Sequence, residues 1–290
     1  MATNPDVDPV TGRTTTGHEW DGLRELNTPL PNWWFYTFMA TIVFALGMFV
    51  LMPAIPLWGT HTTGLLGYSP RAQVDRAVAN IAAQRAVFMD RIAALSFDDI
   101  RKDPELLTMA QNAGRITFGI NCQPCHGPGG EGRIGYPALG DDVWLWGGTV
   151  AQIQQTITHG IRSTDDPDTH QSQMPAFGKD GVLKPDQIQQ VADYVMTLYG
   201  TPVAGANPAP GAQIFADNCA PCHGDKGQGN RDVGAAPLAS HIHLYPGTRD
   251  EVVAQVTNPH HGVMPAWGKK LDPATIKSLT LYVHALGGGE

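Results

Sequence analysis

Four cysteines occur in the 290-residue chain, and every one lies in a Cys-x-x-Cys-His run: Cys122-Gln-Pro-Cys125-His126 and Cys219-Ala-Pro-Cys222-His223. Two thiols at that spacing reach the two vinyl groups of one haem, and the adjacent histidine then reaches the iron. The pattern predicts two covalently bound haem c groups with His126 and His223 as fifth ligands. No cysteine remains for a disulfide. A structural zinc reading needs further donors near each pair, and neither run supplies them.

Each half continues to a Met-Pro-Ala-aromatic-Gly-Lys run, at Met174–Lys179 and Met264–Lys269. Met174 and Met264 are the expected sixth ligands. A thioether favours ferrous iron and raises the potential. Iron ligated on both faces leaves no vacancy for oxygen or peroxide, so the chemistry expected is electron transfer, with no catalytic residue in this chain. The spacing allows each methionine to serve the haem of its own half, and crossed ligation would use the same residues. His159 is the reserve axial candidate. His260 and His261 are read as surface or capping residues, and His170, His241 and His243 as loop residues. Trp144 and Trp146 are read as packing, and Asp165, Asp166 and Asp168 as a solvated face.

The elements that position these groups form an internal repeat. Gly114-x3-Phe118-x3-Cys122 matches Gly211-x3-Phe215-x3-Cys219, placing glycine and phenylalanine on one helical face. Each half ends in a helical pattern, Pro185–Leu198 and Pro273–Leu286, in which Tyr194 and Leu198 correspond to Tyr282 and Leu286. The first half carries nine more residues before its methionine. This order of helix, attachment loop, long loop, Met-Pro and final helix resembles class I cytochrome c.

No Asp, Glu, Lys or Arg occurs from Leu26 to Pro70. The apolar stretch Trp33–Trp58, with tryptophans at both ends, is long enough to cross a bilayer as a helix of about 39 Å. Polar residues precede it and no basic segment opens the chain, so a retained anchor is expected rather than a cleaved signal. Arg13 and Arg24 before it balance Arg71 and Arg76 after it, so charge leaves the orientation open. Covalent haem attachment outside the bacterial cytoplasmic membrane puts the haem domains in the periplasm and the N-terminus in the cytoplasm. The net charge of −8 argues against nucleic-acid binding and suits a basic protein partner.

The expected fold class is all-α, an N-terminal transmembrane helix followed by two tandem class I cytochrome c domains. Its segments are an N-terminal stretch (1–32), the transmembrane helix (33–58), a linker and helical stalk (59–103), a first domain (104–200), a linker (201–211) and a second domain (212–290). Val74, Val78, Ile81, Val87, Ile92 and Leu95 mark the stalk by near-helical spacing.

The run His18-Glu-Trp-Asp-Gly-Leu-Arg-Glu-Leu-Asn-Thr-Pro-Leu-Pro-Asn-Trp-Trp34, leading straight into the apolar stretch, resembles the dihaem subunit (FixP or CcoP family) of cbb3-type cytochrome c oxidase. The resemblance covers nearly the whole chain. It implies haem attachment at Cys122, Cys125 and His126 and at Cys219, Cys222 and His223, with Met174 and Met264 axial. It also implies electron transfer from a soluble or membrane-bound cytochrome c, through a monohaem subunit, to the catalytic haem–copper subunit that reduces oxygen and pumps protons. The rival readings are a dihaem subunit of a periplasmic dehydrogenase and a dihaem peroxidase.

Overall fold

The computed structural model describes residues 6–290. The chain divides into two compact units, Met1–Ile81 and Ala82–Glu290.

In the first unit, β1 (Thr15–Trp20) pairs antiparallel with β2 (Leu23–Leu26). Asp21 and Gly22 make the turn at φ 48° and 83°, the two consecutive left-handed residues that a tight hairpin demands. Glu19 and Arg24, opposite each other in the ladder, are ion-paired at 2.9 Å. Helix α1 (Asn32–Leu51) follows: 20 residues, mean hydropathy 2.0 in its most apolar window, none of it buried. Its length is about 30 Å, which matches a hydrocarbon core of about 30 Å without overhang. The helix is shorter than the expected 33–58. Pro53 forces Met52 into an extended conformation, and the chain turns away there. The amides of Leu65 and Leu66 fold back onto the carbonyls of Val50 and Leu51, satisfying two acceptors that the helix end leaves open. Between them β3 (Pro56–Leu57) and β4 (Thr60–His61) form a second small hairpin. The all-α expectation therefore needs two short hairpins added to it.

Helix α2 (Pro70–Ala94) begins in the first unit and ends in the second. Val74, Val78, Ile81 and Val87 are exposed along it, and Ile92 is fully buried.

The second unit holds α3 (Phe97–Lys102), α4 (Pro104–Asn121), α5 (Gln123–His126), α6 (Val150–His159), α7 (Pro185–Leu198), α8 (Ala209–Asn218), α9 (Ala220–His223), α10 (Arg249–Thr257), a 3-10 turn (Trp267–Lys269) and α11 (Pro273–His284). Proline opens α4, α7 and α11, where its missing N–H costs nothing. Asp103, Thr149, Thr248 and Asp272 cap α4, α6, α10 and α11 through their side chains. Helix α8 starts at Ala209, inside the stretch read as linker 201–211.

The helices pair across the repeat. Gly114 of α4 lies against the Ser278 carbonyl and Tyr282 Cβ of α11, leaving no room for a side chain. One turn on, Phe118 meets Tyr282 with ring centroids 5.3 Å apart. Gly211 of α8 meets the Gln190 carbonyl and Tyr194 of α7 in the same way, and Tyr194 and Phe215 lie 5.2 Å apart. Two lobes result. Lobe A contains α4, α5, α6, the 3-10 turn and α11, around Phe118, Ile153, Ile157, Ile276, Leu279 and Val283. Lobe B contains α7, α8, α9 and α10, around Ile188, Val191, Val195, Phe215, Val252 and Val256. Each lobe is thus closed by the final helix of the other half. The short connection from α7 to α8 favours this pairing, because elements adjacent in sequence tend to pack together. A third cluster seats the end of α2 and α3 on lobe A through Ile92, Ile100, Leu106, Ala110, Ala274 and Leu281.

Candidate haem sites

Helix α4 ends where the first motif begins. The Cys122 amide donates to the Phe118 carbonyl at 2.8 Å, and the His126 amide to the Cys122 carbonyl at 2.9 Å, so both thiols and the imidazole share a single helical turn. Gly127, at φ 83°, ends that turn. The second motif repeats each feature: Cys219 to Phe215 at 2.8 Å, His223 to Cys219 at 2.8 Å, and Gly224 at φ 78°.

His126 Nδ1 lies 2.9 Å from the Pro137 carbonyl, and His223 Nδ1 lies 2.8 Å from the Ala236 carbonyl. A carbonyl only accepts, so each Nδ1 carries the proton and Nε2 keeps its lone pair for a metal. Burial lowers both histidine pKa values, outweighing those carbonyl bonds, and keeps the rings in the neutral form that ligates. Burial, followed by the neighbouring thiol, pushes Cys122 and Cys219 up to about 11. Near neutral pH they are therefore thiols, the form from which thioethers are built by addition to vinyl groups. A haem c fits these residues. Structural zinc does not, because among the described residues the one cluster of three close His, Cys, Asp or Glu ligand atoms contains no cysteine.

The methionines are distributed crosswise. Met264, like Cys122, Trp144, Trp267 and Tyr282, packs against the lobe A core. Met174 packs with the lobe B core that holds Cys219, Phe215 and Phe177. Sequence spacing left own-half and crossed pairing open; in the structure Met264 packs against the core that Cys122 also lines, and Met174 against the core that contains Cys219.

The remaining candidates separate by contact. His159 Nδ1 is 3.2 Å from Asp166, whose side chain is only 10% exposed, and the Asp168 amide also donates to Asp166 at 2.8 Å. His159 is therefore engaged in a carboxylate pair; Asp165 and Asp168 are exposed, as a solvated face requires, while Asp166 turns inward to His159. His170 stacks on Trp146 at 4.2 Å and approaches the Thr156 hydroxyl at 3.1 Å. His243 stacks on Tyr199 at 3.9 Å. Both have fixed partners that their loop positions did not suggest. His260 and His261 stay at the surface, the His260 amide donating to Gln255. Trp144 donates from Nε1 to the Gly288 carbonyl. The carbonyls of Pro137 and Ala236 went unrecognised in the sequence. The available signal was the Pro/Ala-Leu segment after each motif, since Leu139 and Leu238 return their amides to Gly130 and Gly227 in parallel fashion.

The N-terminal domain of cytochrome oxidase-cbb3, FixP, matches residues 12–59. Cytochrome C oxidase, cbb3-type, subunit III matches residues 110–195 and 206–283. The chain is 50% identical to a cbb3-type cytochrome c oxidase subunit FixP of Bradyrhizobium diazoefficiens, covering 100% of both chains. It is 51% identical to the FixP subunit of Azorhizobium caulinodans over 98% of this chain and 96% of that one. It is 52% identical to the CcoP subunit of an Azospirillum strain over 98% of each. With paired Cys-x-x-Cys-His turns behind an apolar N-terminal helix and relatives matching from end to end, this chain belongs to the FixP/CcoP family of cbb3-type cytochrome c oxidase subunits.

Proposed function

We propose that this chain is the membrane-anchored dihaem electron-transfer subunit of a cbb3-type oxidase. It takes electrons from a soluble or membrane-bound cytochrome c and passes them, through a monohaem subunit, toward the catalytic haem–copper subunit. The observation that carries this is the duplicated turn: two thiols and an imidazole with Nδ1 held by a carbonyl, present in both lobes. When bound, each haem supplies a one-electron Fe(III)/Fe(II) couple. The protein's share is to hold both iron faces and to exclude exogenous ligands.

In this reading Cys122, Cys125, His126 and Met264 would hold one haem, and Cys219, Cys222, His223 and Met174 would hold the other. Two closed irons favour electron relay over peroxide chemistry. Helix α1 anchors the chain, with the N-terminus cytoplasmic and the haem domains periplasmic, because the attachment chemistry takes place outside the cytoplasmic membrane.

Met264→Leu and Met174→Leu, prepared in the membrane complex, test the assignment. Met264→Leu is expected to abolish the ferric thioether absorption of the haem on the Cys122 peptide, and Met174→Leu that of the haem on the Cys219 peptide. The haems are distinguished by Cys-to-Ser variants that retain one site each. Loss at the haem of the same half instead overturns the crossed assignment. A mature chain with no haem mass on either cysteine pair overturns the whole reading.

A further inference from the structure

After α6 the chain runs through Gly160, Ile161 and Arg162, and Ile161 bridges a neighbouring segment on each side. On one side Ile161 and Met264 exchange amide–carbonyl hydrogen bonds at 3.0 Å each. On the other, the Arg162 amide donates to the His170 carbonyl at 2.8 Å and the His170 amide to the Gly160 carbonyl at 3.2 Å. The segment therefore touches the arm carrying Met264 and the arm leading to Met174.

The side chain of Arg162 makes the same double connection. Its Nε donates to the Gly262 carbonyl at 2.6 Å and its Nη1 to the Ser172 carbonyl at 2.8 Å. Gly262 lies two residues before Met264, and Ser172 lies two residues before Met174. One rigid guanidinium thus grips equivalent points of both methionine arms. Arg162 forms no ion pair among the described residues, and these two carbonyls hold two of its five N–H donors. Its backbone sits at φ 52°, a conformation suited to glycine or asparagine. The backbone disfavours arginine here, and the side-chain contacts are what hold it in place.

We propose that Arg162 is a positioning residue that braces both methionine arms at once and makes the two haem sites interdependent. This rests on Met264 and Met174 being the sixth ligands, as inferred above. A planar fork spans two divergent carbonyls, whereas a lysine ammonium on a flexible stem reaches one at most with comparable geometry.

The test uses the full-length membrane complex carrying both haems. Arg162→Asn removes the fork and suits the backbone conformation, and Arg162→Lys keeps the charge. Amide hydrogen exchange over 171–174 and 262–264 is measured alongside the ferric thioether absorption and midpoint potential of each haem. Arg162→Asn is expected to accelerate exchange about tenfold in both arms, as loss of charge-assisted hydrogen bonds implies. It should also weaken the thioether signature and lower the potential at both haems. Arg162→Lys is expected to spare one arm only. Unchanged exchange in both arms, or a change confined to one arm in Arg162→Asn, overturns the proposal. If Arg162→Asn does not accumulate, Arg162→Lys decides, and wild-type protection in both arms refutes the brace. A wild-type protein without thioether absorption overturns the ligand reading separately, because arm exchange is read without it.

Discussion

Lobes A and B are built from the same repeat, yet they are supported differently. Both bring a glycine–phenylalanine face against a tyrosine-bearing helix. In lobe A the closing helix α11 is covered on a further side by the end of α2 and by α3, and nearly every residue from Ser278 to Val283 is buried. Lys277 donates from Nζ to the carbonyls of Ala93 at 2.8 Å and Leu95 at 2.7 Å, satisfying the open end of α2. In lobe B the position equivalent to Lys277 is Gln189, whose Oε1 accepts from Arg249 of α10 at 2.6 Å. Equivalent positions of the two closing helices thus carry different contacts, Lys277 reaching the end of α2 and Gln189 reaching α10.

The largest effects should come from filling the helix crossings. Gly114→Val drives a side chain into the Ser278 carbonyl, and Gly211→Val into the Gln190 carbonyl. Each should destabilise its lobe by about 3 kcal/mol or more, at the upper end for overpacking because the obstacle is backbone. Hydrogen exchange locates the damage. Gly114→Val should deprotect 273–284 and spare 185–198, and Gly211→Val the reverse. Deprotection within the same half would break the crossed pairing on which the two lobes rest.

Truncating the aromatic partners is expected to have an effect of comparable size. Phe118 and Phe215 are each 1% exposed. Phe118→Ala and Phe215→Ala should each cost about 3–5 kcal/mol by denaturant titration, the spread depending on how far each lobe collapses into the cavity. Lobe A, with its additional layer, should collapse less and sit toward the higher figure. Equal costs would remove the mechanical distinction between the lobes.

The repeat, both Cys-x-x-Cys-His turns and the helices that carry them were legible in the sequence because each depends on short-range spacing. Gly114, Phe118 and Cys122 share one helix, and so do their counterparts. The crossing was not legible, because α7 and α11 each carry a tyrosine at the repeat position that meets the glycine, and one sequence does not say which helix meets which. Pro53 and Pro56 mark in the sequence where the helix can kink or end, and α1 does end at Leu51; the apolar residues beyond are what extended the expected span to Trp58. Arg162 and Asp166 lay in the nine-residue excess of the first half. Their partners, Gly262 and His159, are set by tertiary pairing of the two methionine arms rather than by local pattern.

A smaller effect follows from Lys277. Lys277→Ala leaves the carbonyls of Ala93 and Leu95 without their charged donor, at a cost of about 1.5–3 kcal/mol for charge-assisted bonds in a partly buried site. The loss should appear as faster exchange over 88–95 with lobe B unaffected. An equal response in lobe B would show that the α2 layer supports the second unit as a whole.

The smallest effect separates the lobes by pH. Asp166, present only in the longer first half, has its pKa lowered by the Asp168 amide and then by His159, against an opposing effect of burial. A carboxyl whose folded pKa is depressed favours the folded state fully above its unfolded value of about 3.9. That contribution drains away as pH falls from there through the folded pKa. Acid should therefore loosen the 159–170 loop of wild-type protein over that interval, read as rising amide exchange, before lobe B responds. Asp166→Asn removes the carboxylate and should flatten this pH dependence while leaving exchange in α7 and α8 as in wild type. A loop whose acid sensitivity persists in Asp166→Asn would assign the difference to another group and leave the extra nine residues without an electrostatic role.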